Sequence, residues 1–454
     1  MSREINLTEG NIISTLTKLA LPIMGTSFIQ MAYNLTDIMW LGRLDTKAVA
    51  AAGSGGFFLW IGAALILVSQ IGVGVSVAQC YGKGEYEKAK EYITQGLQLD
   101  IIIALIYGLL LFFFNSAIIS FFKFDDTSLI QMAESYLSII GLGIVFHFLN
   151  PIFSTAMNSS GNSVTPFKIN TIGLIVNMIL DPILIFGFGL GIKGAAIATI
   201  TSQFAVTVLF LIIAKNKGVV FSGIKIFRKL DFTKVKEIVK LGFPPATQMG
   251  VHASIGIVLT RIIAEYGAVA VAVQSIGSQI ESLSWMTSEG FSAAISAFVG
   301  QNYGAKKFER IKEGYYKGIK VLGYFGIFVS LLLIFGAKPI FAIFTPKDPQ
   351  TIAAGIIYLR ILGLSQFFMS IEIGTAGAFN GLGLTVPPTI TGVSINLMRI
   401  PLAILLSSTA TLGLSGIWWA ITGTSIAKGI VLFIWFFFIL KRLGNNKSTI
   451  EPFA

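Results

Sequence analysis

Ile172-Gly-Leu-Ile-Val-Asn177-Met-Ile-Leu-Asp181-Pro182-Ile-Leu-Ile-Phe186 sets an aspartate, with an asparagine one turn before it, inside an otherwise apolar run. Crossing the hydrocarbon core takes about 20 such residues, and the wider segment 164–188 supplies them. An ionisable group inside a membrane span is costly and marks function by default. Upstream, Asn34-Leu-Thr-Asp37 repeats the chemistry in another apolar run. Two carboxylates, each with an asparagine on a neighbouring turn, point to a cation or proton site.

Composition agrees with a membrane solvent. The chain has 454 residues, 54% hydrophobic and 12% charged, with a mean hydropathy of +0.78; soluble domains carry about 25% charged residues. The net charge of +11 does not indicate nucleic acid, because its basic residues fall in short loops between apolar runs, where they report topology. The single cysteine, Cys80, excludes an intramolecular disulfide and a cysteine metal cluster. No small-residue cleavage site follows the first apolar run, which is read as an uncleaved span.

About twelve spans are expected, near 14–42, 51–78, 92–120, 128–157, 164–188, 192–214, 238–265, 272–300, 316–338, 350–379, 388–408 and 414–440. The expected fold is an all-α polytopic membrane protein. Residues 1–214 form an N-lobe of six spans, 215–237 a basic cytoplasmic linker, and 238–454 a six-span C-lobe. The linker carries Lys215, Lys217, Lys225, Arg228, Lys229, Lys234 and Lys236. With the N-terminus inside, inner loops and flanks hold roughly two dozen Lys/Arg against about six outside. Both termini are therefore expected in the cytoplasm, and the chain in the cell membrane.

The halves read as repeats at one constant offset, shared by Pro22 and Pro244, Tyr81 and Tyr303, Asn158 and Asn380, Gly161 and Gly383, Pro166 and Pro388, and Gly194 and Gly416. Gln79-Cys-Tyr-Gly82 matches Gln301-Asn-Tyr-Gly304. Six spans per half give parallel, pseudo-symmetric lobes related by an axis along the membrane normal, facing a central cleft. The carboxylates break that symmetry. Leu259 stands opposite Asp37 and, after a local slip of three residues, Ile400 opposite Asp181. The acidic site belongs to the N-lobe.

Counting along the helices, Asp37, Asp181 and Thr199 all sit roughly 10–12 Å below the outer boundary at 1.5 Å per residue. Asn34 and Asn177, at i−3 and i−4, are expected to share the faces of their aspartates. The alternative is a structural hydrogen-bond network between helices. Oxygen ligands of this kind suit Na⁺, held by Asp37, Asp181 and Asn177, while a desolvated carboxylate suits H⁺. The residues do not choose.

A second cluster is expected in the C-lobe, where His252, Glu289 and Arg399 fall near mid-membrane with Glu372 about one turn nearer the cytoplasm. A buried arginine needs an acidic partner, so Arg399 is expected to pair with Glu289 or Glu372. Its role is either coupling to substrate or a static lock between helices. His252 is a candidate titrating group, and His147 a weaker one. Pro22, within the first span beneath Asp37, reads as a hinge or a fixed kink, and Pro244-Pro245 open span 7.

Gly189-Leu-Gly191-Ile-Lys-Gly194 fits a dinucleotide fingerprint, but it follows a membrane helix and not a strand, so it reads as a tight turn. No G-x-x-x-x-G-K-[ST] occurs, which excludes a P-loop. Arg261 and Glu265 read as a surface pair.

Over its whole length, from Leu19-Ala-Leu-Pro22 onward, the chain resembles the MATE family of multidrug and toxic compound extrusion transporters. The most specific parts are Tyr33-Asn34-Leu-Thr-Asp37, Asn177-Met-Ile-Leu-Asp181-Pro182, Gly194-Ala-Ala-Ile-Ala-Thr199 and the paired Gln-x-Tyr-Gly loops. The resemblance implies a V-shaped pair of six-helix lobes exporting drugs and organic cations in exchange for H⁺ or Na⁺. It also implies a cation site built from the N-lobe aspartates with Asn177 and Thr199. Members of the NorM group carry a glutamate near the position of His252; this chain does not, and the intact N-lobe set leans towards the DinF-like branch. Glu289 and Glu372 are the candidates for a C-lobe role.

The expected function is a cation-coupled multidrug antiporter working by alternating access as a monomer. It would need no cofactor, and membrane lipids and small-molecule drugs would be its partners. A flippase for lipid-linked oligosaccharide is the closest rival, and would favour a cleft lined with several arginines. An intramembrane enzyme would need paired catalytic groups or metal ligands at one site, and two histidines in different lobes supply neither.

Overall fold

The computed structural model describes residues 4–216, 220–224, 226, 228–346, 348–408 and 412–445. Lys217 and Lys225 of the basic linker lie outside the described residues. Fifteen α-helices follow in order: α1 Ile12–Leu44, α2 Thr46–Lys83, α3 Tyr86–Phe113, α4 Asn115–Ser120, α5 Thr127–Ser160, α6 Val164–Pro182, α7 Ile192–Ala214, α8 Phe232–Ala264, α9 Ala268–Gly304, α10 Phe308–Phe335, α11 Ala337–Phe344, α12 Pro349–Gly363, α13 Gln366–Gly381, α14 Val386–Ser407 and α15 Leu414–Asn445. No strand occurs among the described residues. A chain that spans lipid must satisfy its backbone hydrogen bonds within each segment, and helices do so.

Nine of the described helices are long and apolar enough to cross a membrane, and the pair α12 and α13, bent by 48°, makes a tenth. The other two expected spans are α8 and α9. Their sequences hold more polar and small residues, with Pro244, Pro245, Gln248 and His252 in α8 and Gln274, Ser275, Ser278, Gln279 and Glu281 in α9.

The repeat is visible in the element boundaries. Helices α9, α10, α11, α12, α14 and α15 begin after α2, α3, α4, α5, α6 and α7 respectively by the same offset that separates Pro22 from Pro244. The caps repeat with them. Asp126 accepts from the amides of Ser128 and Leu129 at the start of α5, and Asp348 from those of Gln350 and Thr351 at the start of α12. A side-chain acceptor there satisfies amides that the first turn leaves without partners. Gly161 and Gly383 take positive φ at the matching helix ends. At the end of α2 Gly84 also has positive φ, but its counterpart after α9 is Lys306 at φ 57.

The helices form two compact units. One holds the described residues up to Asn6 together with Leu21–Ala246; the other holds Leu7–Ala20 and the chain from Thr247 on. The first turns of α1 thus pack with the second unit, and those of α8 with the first. In the first unit α2 packs on α8 at very close range, since a Cβ on Gly72 would lie 2.3 Å from the Ile238 carbonyl oxygen. Described linker residues dock on α3. Glu91 pairs with Arg228 at 3.0 Å and Lys234 at 2.9 Å, while Gln95 accepts from the Asp231 amide at 2.8 Å. The hydrogen bond from Lys234 holds the exposed Asp231 carboxyl below its ordinary range.

Candidate functional site

Helices α1, α6 and α7 of the first unit carry the site. Asp37 lies three-quarters of the way along α1, and Asp181 is the penultimate residue of α6, just before Pro182. The chain then widens into a π-helical turn over Ile183–Gly187, a feature often found at functional positions. Gly189 and Gly191 turn it back with positive φ. Gly194 lets α7 lie directly on that turn, because a Cβ there would be 2.7 Å from the Leu184 carbonyl. The glycine pattern is a tight turn that seats Thr199 opposite the aspartates.

These elements bring four of the five expected residues together. The Asp37 carboxylate has Asp181, Asn177 and Thr199 as its polar neighbours. Thr199 Oγ1 donates to Asp37 Oδ2 at 3.3 Å, and Asn177 Nδ2 donates to Asp181 Oδ1 at 3.3 Å. Asn177 and Asp181 are both fully buried. Three acceptors in this cluster have no donor among the described residues: Asp37 Oδ1, Asp181 Oδ2 and Asn177 Oδ1. No lysine or arginine is among the partners of either aspartate. Two neighbouring carboxylates without a counter-charge repel each other, and a bound cation or proton relieves that repulsion.

Asn34 does not join them. It is exposed and makes no hydrogen bond among the described residues. The i−4 position on the inward face is held instead by Tyr33, about 40° from Asp37 on a helical wheel, whereas Asn34 lies about 60° round the other way. The Tyr33 hydroxyl lies over Gly173, where a Cβ would meet it at 2.8 Å, and Ser202 of α7 neighbours it. Tyr136 of α5, buried against Gly55, flanks both aspartates. Neither tyrosine was among the expected site residues, although Tyr33 heads the quoted motif one turn before Asp37.

The second unit is arranged differently, and the ion pair expected for Arg399 is not formed. Arg399 Nε donates to Thr424 Oγ1 at 2.9 Å and Nη2 to Ser425 Oγ at 3.1 Å, both on α15. Glu372 pairs instead with Lys428 of α15, at 3.0 Å. Lys428 reaches Glu372 from one turn beyond the two hydroxyls, so α15 satisfies both groups at once. Glu289 is exposed and makes no hydrogen bond or ion pair among the described residues. His252 shares a 3.4 Å contact between its Nδ1 and Asn396 Nδ2. Glu281 was missed altogether: it accepts from Tyr358 at 3.1 Å and Gln366 at 3.0 Å. The rule that singled out Asp37, a charge deep in an apolar run, applies equally to Glu281, Lys428 and the fully buried Asp100, which bonds Ser69.

A model of the family described as MatE matches the chain twice, over residues 22–183 and 244–405. Both limits of the second match follow those of the first by the offset already seen in the helix starts. The probable multidrug resistance protein NorM of Thermotoga maritima is 30% identical over 427 residues, 93% of this chain and 91% of that protein. The FAD transporter of Shewanella oneidensis is 26% identical, covering 94% of this chain and 95% of its own. Among solved structures, the outward-facing conformation of a multidrug resistance MATE family transporter of the MOP superfamily superposes with a TM-score of 0.88 at 23% identity. That match covers 98% of this chain and 99% of the other.

Proposed function

We infer that this chain, which belongs to the MatE family, is a secondary active multidrug efflux antiporter that exchanges drugs and organic cations for a small cation. It is a multi-pass membrane transport protein and not an enzyme. The observation that carries the finer reading is the half-buried Asp37 beside the fully buried Asp181, with Asn177 and Thr199 and without a basic partner. Three orphaned oxygens from three side chains suit a small hard cation such as Na⁺. A shared proton, the second reading for the ion, would satisfy the carboxylates and leave Asn177 Oδ1 unpaired.

In this reading Asp37 and Asp181 supply charge, and Asn177 and Thr199 complete the shell. Asn34, being exposed, remains a candidate only for a conformation in which α1 turns. Occupancy shifts the population between states open to either side, which requires different ion affinities in the two. Each charge moved inward across the cell membrane gains about 2.3 kcal/mol per 100 mV. In the second unit Glu289 is the unpartnered acid left to meet a substrate cation, with His252 on α8 and Arg399 on α14 held by neutral partners. Cytoplasmic termini complete the topology proposed.

The similarity to a protein named as an FAD transporter favours a second reading of the cargo, an anionic nucleotide. Efflux from vesicles with Na⁺ and pH gradients imposed separately tests both ion and cargo. A cationic dye should leave faster under one gradient, and Asp37→Asn and Asp181→Asn should each stop it at normal expression. Undiminished efflux in either variant removes the assignment.

A further inference from the structure

Among the described residues, Lys428–Glu372 stands apart from every other ion pair. Its side chains are 10% and 11% exposed, whereas both partners in each of the others are at least 20% exposed. It also ends a sequence of alternating charge within one unit. Glu281 is held by Tyr358 and Gln366, Arg399 has Glu281 and Glu372 as charged neighbours, and Glu372 meets Lys428. Two acids and two bases sum to zero. In the first unit the fully buried Asp181 and the half-buried Asp37 lie beside each other with no base among their partners.

That contrast gives Lys428 a specific task. A carboxylate buried in an apolar helix bundle has the chemistry of a monovalent-cation ligand, and Glu372 is buried against α15, where Arg399 takes the Thr424 and Ser425 hydroxyls and Lys428 is left to meet the carboxylate. The place a mobile cation would take against Glu372 Oε1 is filled by the Lys428 ammonium at 3.0 Å. A tethered group competes at an effective concentration far above that of a free ligand of equal affinity, so free Na⁺ does not displace it.

We propose that Glu372 is a second cation-accepting site whose ligand is built into the chain, the Lys428 ammonium, and that removing this ammonium opens the site to a small monovalent cation. The proposal rests on Asp37 and Asp181 being the mobile-cation site, and it means that Lys428 limits the protein to that one. Unit 2 then contributes no mobile charge to the transport cycle.

The test is equilibrium binding of radioactive Na⁺ to the purified full-length chain in nanodiscs. In an Asp37→Asn/Asp181→Asn background, no saturable binding is expected. Adding Lys428→Met should create one saturable Na⁺ per chain, and further adding Glu372→Gln should abolish it. Lys428→Gln, which keeps a hydrogen-bond donor without the charge, carries the test if the methionine variant is not monodisperse, and Lys428→Arg should bind none. Absence of Na⁺ binding in a folded, uncharged Lys428 variant overturns the proposal and leaves a structural ion pair. So does binding that survives Glu372→Gln, or Glu372-dependent binding with Lys428 intact. If the otherwise unaltered chain binds no Na⁺, the Na⁺ reading of Asp37 and Asp181 fails, and the Lys428 comparison still decides its own question.

Discussion

Replacing Asp181 by asparagine keeps the shape of the side chain and an oxygen to accept from Asn177 Nδ2, while removing one of two charges. A unit charge about 4 Å from a bound cation contributes about 4 kcal/mol at an effective dielectric constant of about 20. That corresponds to about three decades in affinity at about 1.4 kcal/mol per decade. At an ion concentration about 100 times its dissociation constant, the unaltered protein gains about 2.7 kcal/mol of stability from binding. At the same concentration the variant, bound about a thousandfold more weakly, gains less than about 0.1 kcal/mol. Unfolding midpoints of the purified chain, followed by tryptophan fluorescence against Na⁺ and separately against pH, measure this directly. The ion-dependent rise should vanish in Asp181→Asn. In ion-free buffer the variant should melt no lower than the parent, because the amide beside Asp37 removes a like-charge contact. A variant that keeps the full ion-dependent rise would refute the reasoning, whatever its transport activity.

In Na⁺-free buffer Lys428→Met alone removes the ammonium that pairs with the buried Glu372 and should cost about 3–5 kcal/mol; the double variant with Glu372→Gln should recover much of it, read from thermal midpoints. Gly173→Ala places a Cβ 2.3 Å from Val206 Cγ2 and 2.8 Å from the Tyr33 hydroxyl. Overpacking of this kind costs about 1–3 kcal/mol, and dye efflux should fall with it as Tyr33 is pushed from its place. Lys306→Gly removes a side chain from the left-handed region where the first repeat already has Gly84, and should stabilise by about 1 kcal/mol in a denaturation midpoint. Asp126, bonded to Lys47 and to the α5 amides, has its carboxyl held below the ordinary range, first by the Lys47 hydrogen bond. A depressed carboxyl stabilises the fold above its unfolded pKa of about 3.9, and that contribution fades as pH falls through the lower folded value. Hydrogen exchange at the Ser128 and Leu129 amides should therefore stay protected at neutral pH and lose protection only in acid. In Asp126→Ala that protection should be absent at every pH.

Element starts repeated at one offset were legible because they rest on local chemistry. Proline, glycine and capping aspartate act within one or two turns, so Asp126 and Asp348, or Gly161 and Gly383, announce matching helix ends without any knowledge of their neighbours. The same locality explains Asn177 and Asp181, four residues apart on one helix and bonded to each other. The failures lie one step further on. Spacing of three placed Asn34 within reach of Asp37, yet only the packing of α1 decides which side of the aspartate faces inward, and Tyr33 lies there. Arg399 was expected to pair with Glu289 or Glu372, and it bonds hydroxyls on α15 instead.

The amino-acid sequence by itself determined a twofold-repeated helical membrane protein with an aspartate pair in its first half that the second does not repeat, because lipid forces backbone bonds to close within each helix and makes a charge in a span conspicuous. Only the tertiary structure decided which charges cancel. Asp37 and Asp181 come together without a base, while Glu372 on α13 meets Lys428, two helices further along the chain. Electrostatic energy depends on distance through space, and helix order carries no record of it.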